Sequence, residues 1–280
     1  MTLFYLKLFT IVFILALWPL SFLLKNSFSE FVYYGLPMLF ILLSFLLFIK
    51  KNTYWPLILM PISVINDALL FFPFLVAILN FIFLSRTKLS VFLLLLSIVI
   101  IVFGFSNFSL KSILTYHYQE QQSVIRKGQL YPTVWLARLF QNKPGIYLDK
   151  YKFNLSALTD PNNYFFGFHP REIVENQNLT KFPFLSIVFF LLGIYYFREN
   201  IHWKFIVIAA CALIFSLSLL THFDKIDFVL FLPLSLLILT GFRHFFKKLN
   251  IIKIIFLGSF LFFGFLEYLQ LFTRSLLGNL

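Results

Sequence analysis

Apolar runs close to the length of a membrane-spanning helix recur along this chain of 280 residues. A helix needs about 20 consecutive apolar residues to cross a bilayer. Hydrophobic residues make up 60% of the chain and charged residues 12%, whereas about 25% are charged in ordinary globular proteins. The sequence therefore predicts an all-α fold, a polytopic transmembrane helical bundle with about eight or nine membrane segments. The runs cover residues 3–24, 31–49, 54–85, 89–105, 183–197, 205–221, 228–242 and 251–272.

Basic residues fall mostly on one side of this predicted bundle. The net charge of +12 is therefore no sign of nucleic-acid binding, because lysine and arginine flank membrane helices and set their orientation. We expect a protein integral to the cytoplasmic membrane, with its N-terminus in the cytoplasm. The short loops on the outer side hold Lys25, Lys225 and Arg274. The cytoplasmic side holds Lys7, Lys50, Lys51, Arg86, Lys88, Arg198, Lys204, Arg243, Lys247, Lys248 and Lys253.

The run over residues 54–85 is too long for one upright helix, and three prolines interrupt it. Either one long kinked helix crosses the membrane, or a short half-helix enters and residues 68–84 return. Basic residues precede and follow the run, which puts both of its ends on the cytoplasmic side and favours the hairpin.

Asp67 lies near the middle of that run and is the candidate ionisable residue at membrane depth. An ionisable side chain inside a membrane is a functional candidate by default. The alternative is structural, since Asn66 and Asp67 would cap a helix that begins at Ala68. The sequence favours the cap and leaves both interpretations open.

The polar interval 106–182 separates N-terminal membrane helices, residues 1–105, from C-terminal ones, residues 183–280. Its density of charged residues is incompatible with a bilayer core, so it is predicted to be a partly helical extracytoplasmic segment. Apolar spacing predicts a helix over 109–127 that ends at Gly128, and a second over 131–140 that residues 142–145 end. Tyrosine and tryptophan side chains favour placing both along the membrane face.

The second half of the interval contains the densest group of reactive side chains, around the stretch YFFGFHPRE at residues 164–172. One interpretation is a site for a phosphate-bearing ligand at the membrane surface. Asp160, His169 and Glu172 would be its catalytic acid–base groups, and Arg171 and Arg138 would bind the substrate. The alternative, favoured on residue pattern alone, is a rigid turn whose charges pair with each other and with headgroups. The spacing of these residues predicts no metal site and no cofactor.

Residues 227–241 read DFVLFLPLSLLILTG, a leucine- and proline-rich stretch that ends at a glycine before a basic turn. KFPFL, at residues 181–185, enters a Phe/Leu run that closes at Gly193. About residues 181–248 thus resemble the later half of polytopic membrane glycosyltransferases of the GT-C superfold. The resemblance implies transfer of sugars from polyprenyl-phosphate donors at the outer membrane face.

The chain departs from that family at its first outer turn, residues 25–30. The family's catalytic acid lies in a long first outer loop, whereas this turn is short and offers only Glu30. Either an acid comes from the central interval, where Asp149, Asp160 and Glu172 are candidates, or the chain is a non-catalytic relative of that family.

Three functional hypotheses remain at the level of sequence. The favoured one is a non-enzymatic membrane scaffold or subunit whose outer interval contacts a membrane protein partner, leaving residues 164–168 as an exposed apolar patch. The alternative is an enzyme or binder of polyprenyl-phosphate-linked saccharides. The third is a transporter that uses Asp67. Membrane lipid is an expected partner of all three, and nucleic acid of none.

Overall fold

The computed structural model describes residues 29, 31–51, 55–83, 88–115, 118–136, 142–166, 182–199, 203–221, 226–247 and 250–277. These residues form helices joined by turns. An isolated bridge between Ser112 and Leu220 is the one strand-like pairing in these ranges. The prediction of an all-α fold is confirmed.

The α-helices are numbered in chain order over the described residues. They are α1 (Leu36–Lys51), α2 (Phe72–Phe83), α3 (Lys88–Lys111), α4 (Tyr118–Gly128), α5 (Lys143–Thr159), α6 (Asn162–Phe165), α7 (Ser186–Tyr196), α8 (Trp203–Leu217), α9 (Phe231–Phe245) and α10 (Ile251–Leu277). A π-helical turn, Phe31–Gly35, precedes α1. The 3₁₀ helices are Trp55–Ile65, Asp67–Leu69, Phe197–Glu199 and Ile226–Leu230.

Helix boundaries inside the polar interval differ from those predicted. α3 continues past Ser106 to Lys111, so the helix predicted to begin at 109 starts only at Tyr118 and then ends, as expected, at Gly128. The predicted end of the helix over 131–140 falls partly outside the described residues, and Asn142 begins α5: its side-chain oxygen accepts a hydrogen bond from the Gly145 N–H at 2.7 Å. Such a cap satisfies one of the free amide groups at a helix start.

The segment predicted as a hairpin has two different arms. Its first arm, Trp55–Ile65, is a 3₁₀ helix of 11 residues with Pro61 inside. Such long 3₁₀ helices are uncommon, and a rise of about 2.0 Å per residue lets 11 residues cover roughly 22 Å. The second arm is α2, which carries Pro73 in its first turn, where a missing N–H costs nothing.

One end of the helix bundle, called here the Lys111 end, is defined by contacts between distant parts of the chain. The Asn66 side chain donates to the Tyr33 carbonyl at 3.1 Å, and Lys111 Nζ donates to the Tyr33 hydroxyl at 2.6 Å. The Ile113 N–H donates to the Leu219 carbonyl at 2.8 Å. The two arms of 55–83 therefore meet at this end, beside the end of α3 and the end of α8.

The opposite end, called the Lys204 end, gathers the other helix termini. The Tyr196 and His244 rings stack there with centroids 4.5 Å apart, and Lys253 Nζ donates to the Phe245 carbonyl at 2.6 Å. Exposed basic residues lie at this end of the bundle, at or next to the start of α3, the end of α7, the start of α8 and the end of α9. They are Lys88, Arg198, Lys204, Arg243 and Lys247.

Phenylalanine fills the core where α7, α9 and α10 meet. Phe189 of α7 is fully buried, and its ring is edge-on to those of Phe242 and Phe260, with both centroids 5.2 Å away. Phe246 and Phe256 complete the ring cluster around it. Edge-to-face rings at this spacing contribute stability beyond their buried area.

Two helical stretches in the described residues are long and apolar enough to cross a bilayer, Lys88–Lys111 and Ile226–Phe245. They differ in exposure, because 17% of the first apolar stretch is buried inside the structure and 67% of the second. Shorter apolar helices cover Val32–Phe45, Asp67–Phe83, Ser186–Tyr196 and Trp203–Leu217. A bundle of about eight or nine membrane segments therefore stays a prediction.

Candidate functional site

A polar cluster of Tyr33, Asp67 and Lys111 lies at the Lys111 end. The ammonium of Lys111 is 2.6 Å from the Tyr33 hydroxyl and 3.5 Å from the Asp67 carboxylate, and it lies 5.3 Å from the centre of the Tyr33 ring. The side chains of Lys111 and Asp67 are 46% and 32% exposed. The cluster thus joins the π-helical turn before α1, the tip of the two arms and the end of α3.

Asn66, rather than Asp67, caps the turn at the tip of the arms. Its side-chain oxygen accepts a hydrogen bond from the Ala68 N–H at 3.0 Å, while its amide nitrogen donates to the Tyr33 carbonyl. Asn66 is buried, and Asp67 is the first residue of the 3₁₀ turn that follows. The carboxylate of Asp67 is therefore available to Lys111. Its predicted role at membrane depth stays untested, although it lies level with the last residue of α3.

Asp67→Asn is expected to lower the free energy of unfolding by less than about 1 kcal/mol, because an ion pair this exposed is screened by water. Asn66→Ala is the matched comparison and should cost more, about 1–3 kcal/mol, since it leaves the partly buried Tyr33 carbonyl without its donor and removes the cap of the turn Asp67–Leu69. Thermal unfolding in detergent micelles measures both. A larger loss in Asp67→Asn would contradict a weak, solvent-screened ion pair, and loss of ion flux at unchanged stability would contradict a purely structural role.

Asp160 occupies the turn between α5 and α6. Its carboxylate oxygen accepts a hydrogen bond from the Asn162 N–H at 2.9 Å, which fixes the turn as its sequence suggests. The other predicted site residues, Arg138, His169, Arg171 and Glu172, lie outside the described residues. Their convergence with Asp160 on one ligand therefore stays a prediction, and so does the glycosyltransferase-like activity that depends on it.

The aromatic run that follows Asp160 is anchored in the protein interior. Tyr164 and Phe165 are buried, and the Tyr164 hydroxyl donates to the Leu158 carbonyl at 2.7 Å. The Phe182 N–H donates to the Tyr164 carbonyl at 2.7 Å. The expectation of an exposed patch over 164–168 is therefore wrong for these two rings. Phe166 is exposed, and its ring contacts that of Phe184.

The buried side-chain amide of Asn154 holds α5 across the Lys111 end. The Asn154 side chain donates to the carbonyls of Ser218 and Leu220 at 3.0 and 2.7 Å. Lys150 Nζ adds a bond to the Thr115 carbonyl at 3.2 Å. Burial raises the pKa of the Tyr151 phenol on the same helix. α5 thus closes the end of the bundle, held there in part by side-chain bonds to backbone carbonyls.

Glu267 of α10 fixes the start of α7. Its two carboxylate oxygens lie 3.3 and 3.2 Å from the Phe184 nitrogen, two residues before the helix begins. A carboxylate at a helix start is favourable because it faces the positive end of the helix dipole. In the sequence, a single glutamate within an apolar run already marks Glu267 as unusual. No residue near it in the chain indicates that it will bond to the Phe184 nitrogen.

A groove of about 410 Å³ lies between α2 and α8, near the Lys204 end. Leu79 and Phe83 form one wall, and α8 forms the other from Trp203 to Phe215. No local sequence pattern indicates this groove, because its two walls are more than a hundred residues apart in the chain. The described residues contain no group of three or more histidine, cysteine or acidic side chains that could hold a metal ion.

Comparison with protein-family models, curated proteins and solved structures finds no match to this chain.

Proposed function

We propose that the chain is a polytopic integral membrane protein that acts as a non-enzymatic scaffold or subunit. The observation that supports the membrane part most strongly is the exposed apolar surface of α3. Its 24 residues cover about 36 Å, more than the roughly 30 Å of a bilayer core. Large apolar side chains are exposed along it: Val91, Phe92, Leu95, Ile98, Val99, Val102, Phe103 and Phe105. Exposure of this apolar surface to water would be strongly unfavourable in free energy, whereas contact with lipid acyl chains carries no such penalty.

α10 supports the same conclusion on another part of the surface. It has 27 residues, about 40 Å of helix, and contacts Phe189 through Phe256 and Phe260. Much of its remaining apolar surface is exposed, including Ile251, Ile252, Ile254, Ile255, Phe262, Phe263, Phe265 and Leu266. A tilted membrane helix accommodates this length.

The distribution of charge supports the predicted orientation. The Lys204 end carries the exposed basic side chains of several helix termini, as the cytoplasmic side of a membrane protein does. The segment 106–182 would then lie outside the cytoplasm together with the Lys111 end. The N-terminus would lie in the cytoplasm, because the predicted helix before residue 25 crosses outward to that end.

The buried polar groups favour a scaffold over a transporter. Among the buried side chains of the described residues, the polar ones are serines, asparagines and Asp227, which lies at the Lys111 end. Two buried serines bond within their own helix, since Ser44 donates to the Phe40 carbonyl and Ser97 to the Leu93 carbonyl. Ser90 of α3 accepts a hydrogen bond from the Asn80 side chain of α2 at 3.1 Å. A transport pathway normally needs ionisable groups at membrane depth. The described interior instead supports rigid packing.

The outer segment offers an exposed apolar surface for a protein partner. Leu130, Val134 and Trp135 are exposed just after α4, and Leu148 and Phe153 are exposed on α5. Aromatic residues of this kind are enriched where proteins bind one another. A membrane protein subunit that covers these side chains would remove them from water.

A photoreactive benzoylphenylalanine in place of Trp135 is expected to form one discrete protein adduct in native membranes, because the scaffold hypothesis puts a partner subunit on this side chain. The same group in place of Arg126, a polar exposed position on α4, should give far less of that adduct. The adduct is measured by gel shift and mass spectrometry. Exclusive labelling of lipid at position 135 would contradict a partner there and would indicate a segment that lies on the membrane.

A further inference from the structure

The groove between α2 and α8 has the shape of a site for an extended chain. Val207, Cys211 and Phe215 line it at intervals of four residues, so they share one face of α8. From Trp203 to Phe215 this face is about 18 Å long, since a helix rises about 1.5 Å per residue. A volume of about 410 Å³ is within the roughly 300–1,000 Å³ of known ligand sites.

The groove is apolar along its length and charged at one end. Lys204 is the one charged side chain among the eight described residues that line it, and Lys204 is exposed. Its ammonium lies 5.9 Å from the Trp203 ring, within reach of a cation–π interaction. Tryptophan and lysine at the start of a helix are the side chains that anchor it at the level of lipid headgroups.

We infer that this groove binds one anionic phospholipid of the bilayer. One acyl chain lies along Val207, Cys211 and Phe215, against Leu79 and Phe83. The headgroup phosphate lies at the ammonium of Lys204, at the first turn of α8. The inference rests on the proposed membrane insertion, and it adds a preferred lipid class and a fixed position to it.

Charge complementarity selects the occupant. A cationic side chain at the mouth of an apolar groove attracts a ligand with a negative head and an apolar tail. A free phosphate would leave the apolar length unfilled, and a neutral lipid would leave Lys204 without a counter-charge. Arg198, exposed just before α8, adds to the positive potential at this end.

The test uses the full chain in phosphatidylcholine vesicles. About one tenth of the vesicle lipid is phosphatidylglycerol that carries a photoreactive diazirine on its acyl chain. After irradiation, adducts are located by tandem mass spectrometry. Adducts are expected to concentrate on Val207–Phe215 and on the facing wall of α2. A diazirine phosphatidylcholine at the same fraction should label these walls about fivefold less, the factor expected from one basic residue near a charged lipid.

Two pairs of variants make the result specific. Lys204→Gln should reduce labelling of the groove by phosphatidylglycerol about fivefold, whereas Lys88→Gln, at another exposed lysine of the same end, should leave it unchanged. Val207→Trp fills the groove and should abolish its labelling. Val91→Trp, on the exposed face of α3, should have no effect on it.

Each other outcome overturns the inference. Equal labelling by both lipids, or labelling that Lys204→Gln does not change, would show that no headgroup is recognised. Adducts on α3 and α10 with none in the groove would show that something else covers it, for example residues 3–24 of the chain. Absence of adducts anywhere, with failure of the vesicles to carry the protein on flotation, would instead overturn the proposed membrane insertion.

Discussion

Gly241→Leu is expected to lower the free energy of unfolding by about 3 kcal/mol. A Cβ at Gly241 would overlap the Phe189 carbonyl oxygen and lie 2.6 Å from the Gly193 nitrogen. A Cβ at Gly193 would in turn overlap the Leu237 carbonyl oxygen. These obstacles are backbone atoms of a facing helix, so no side-chain rotation relieves them and α7 and α9 must separate.

That separation would also disturb the phenylalanine cluster around Phe189, which lies one turn before Gly193. Thermal unfolding in detergent micelles measures the loss, with a thiol-reactive dye that reports exposure of Cys211, the sole and partly buried cysteine. Gly258→Leu is the control, because a Cβ at Gly258 meets nothing within 4 Å. Replacing a helical glycine in open space is favourable by up to about 1 kcal/mol. Equal losses in the two variants would contradict the close contact of α7 with α9.

Asn154→Leu is expected to cost about 2–4 kcal/mol, because it leaves the carbonyls of Ser218 and Leu220 without the donor that both share. The leucine is close in size, so the loss reports hydrogen bonding rather than a cavity. α5 should detach from the end of α8 before the bundle unfolds. Hydrogen–deuterium exchange of residues 143–159 should therefore rise many-fold in the variant.

Asn107→Leu supplies the comparison for that variant. Asn107 is exposed on α3, where surface substitutions change stability by about 0.5 kcal/mol or less. In the Asn107→Leu variant, hydrogen–deuterium exchange of residues 143–159 should match that of the unsubstituted protein. If Asn154→Leu behaves the same way, the two bonds of Asn154 do not hold α5.

Composition and apolar spacing were sufficient to predict the helical class, because hydrophobic runs of this length have few other solutions. Helix ends were harder to predict. Ser106 and Asn107 lowered the local hydropathy, yet they are compatible with a helix, and α3 continues to Lys111. Asn142 and Pro144 can end one helix or begin the next; here Asn142 caps α5 and Pro144 lies in its first turn.

The site was harder to predict than the helices, since its contacts join positions far apart in sequence. Nothing near Asp67 in the sequence indicates that Lys111 will pair with it, and nothing near Gly193 indicates that Gly241 will face it. The run YFFGF was interpreted as an exposed patch from its aromatic density. Burial of Tyr164 and Phe165 depends instead on the fold placing Phe182 and Phe231 beside them.

Thiol labelling in native membranes tests the membrane account most directly. In a Cys211→Ser background, single cysteines replace Val102 on α3 and Ile255 on α10, whose side chains are 69% and 64% exposed in the structure. A third cysteine replaces Gln129, an exposed residue after α4. A water-soluble, membrane-impermeant maleimide should modify position 129 from outside intact cells. It should leave 102 and 255 unmodified until the membrane is dissolved, because lipid covers both. Reaction at 102 and 255 as fast as at 129 would mean that water covers these faces, and the protein would not be the membrane bundle proposed.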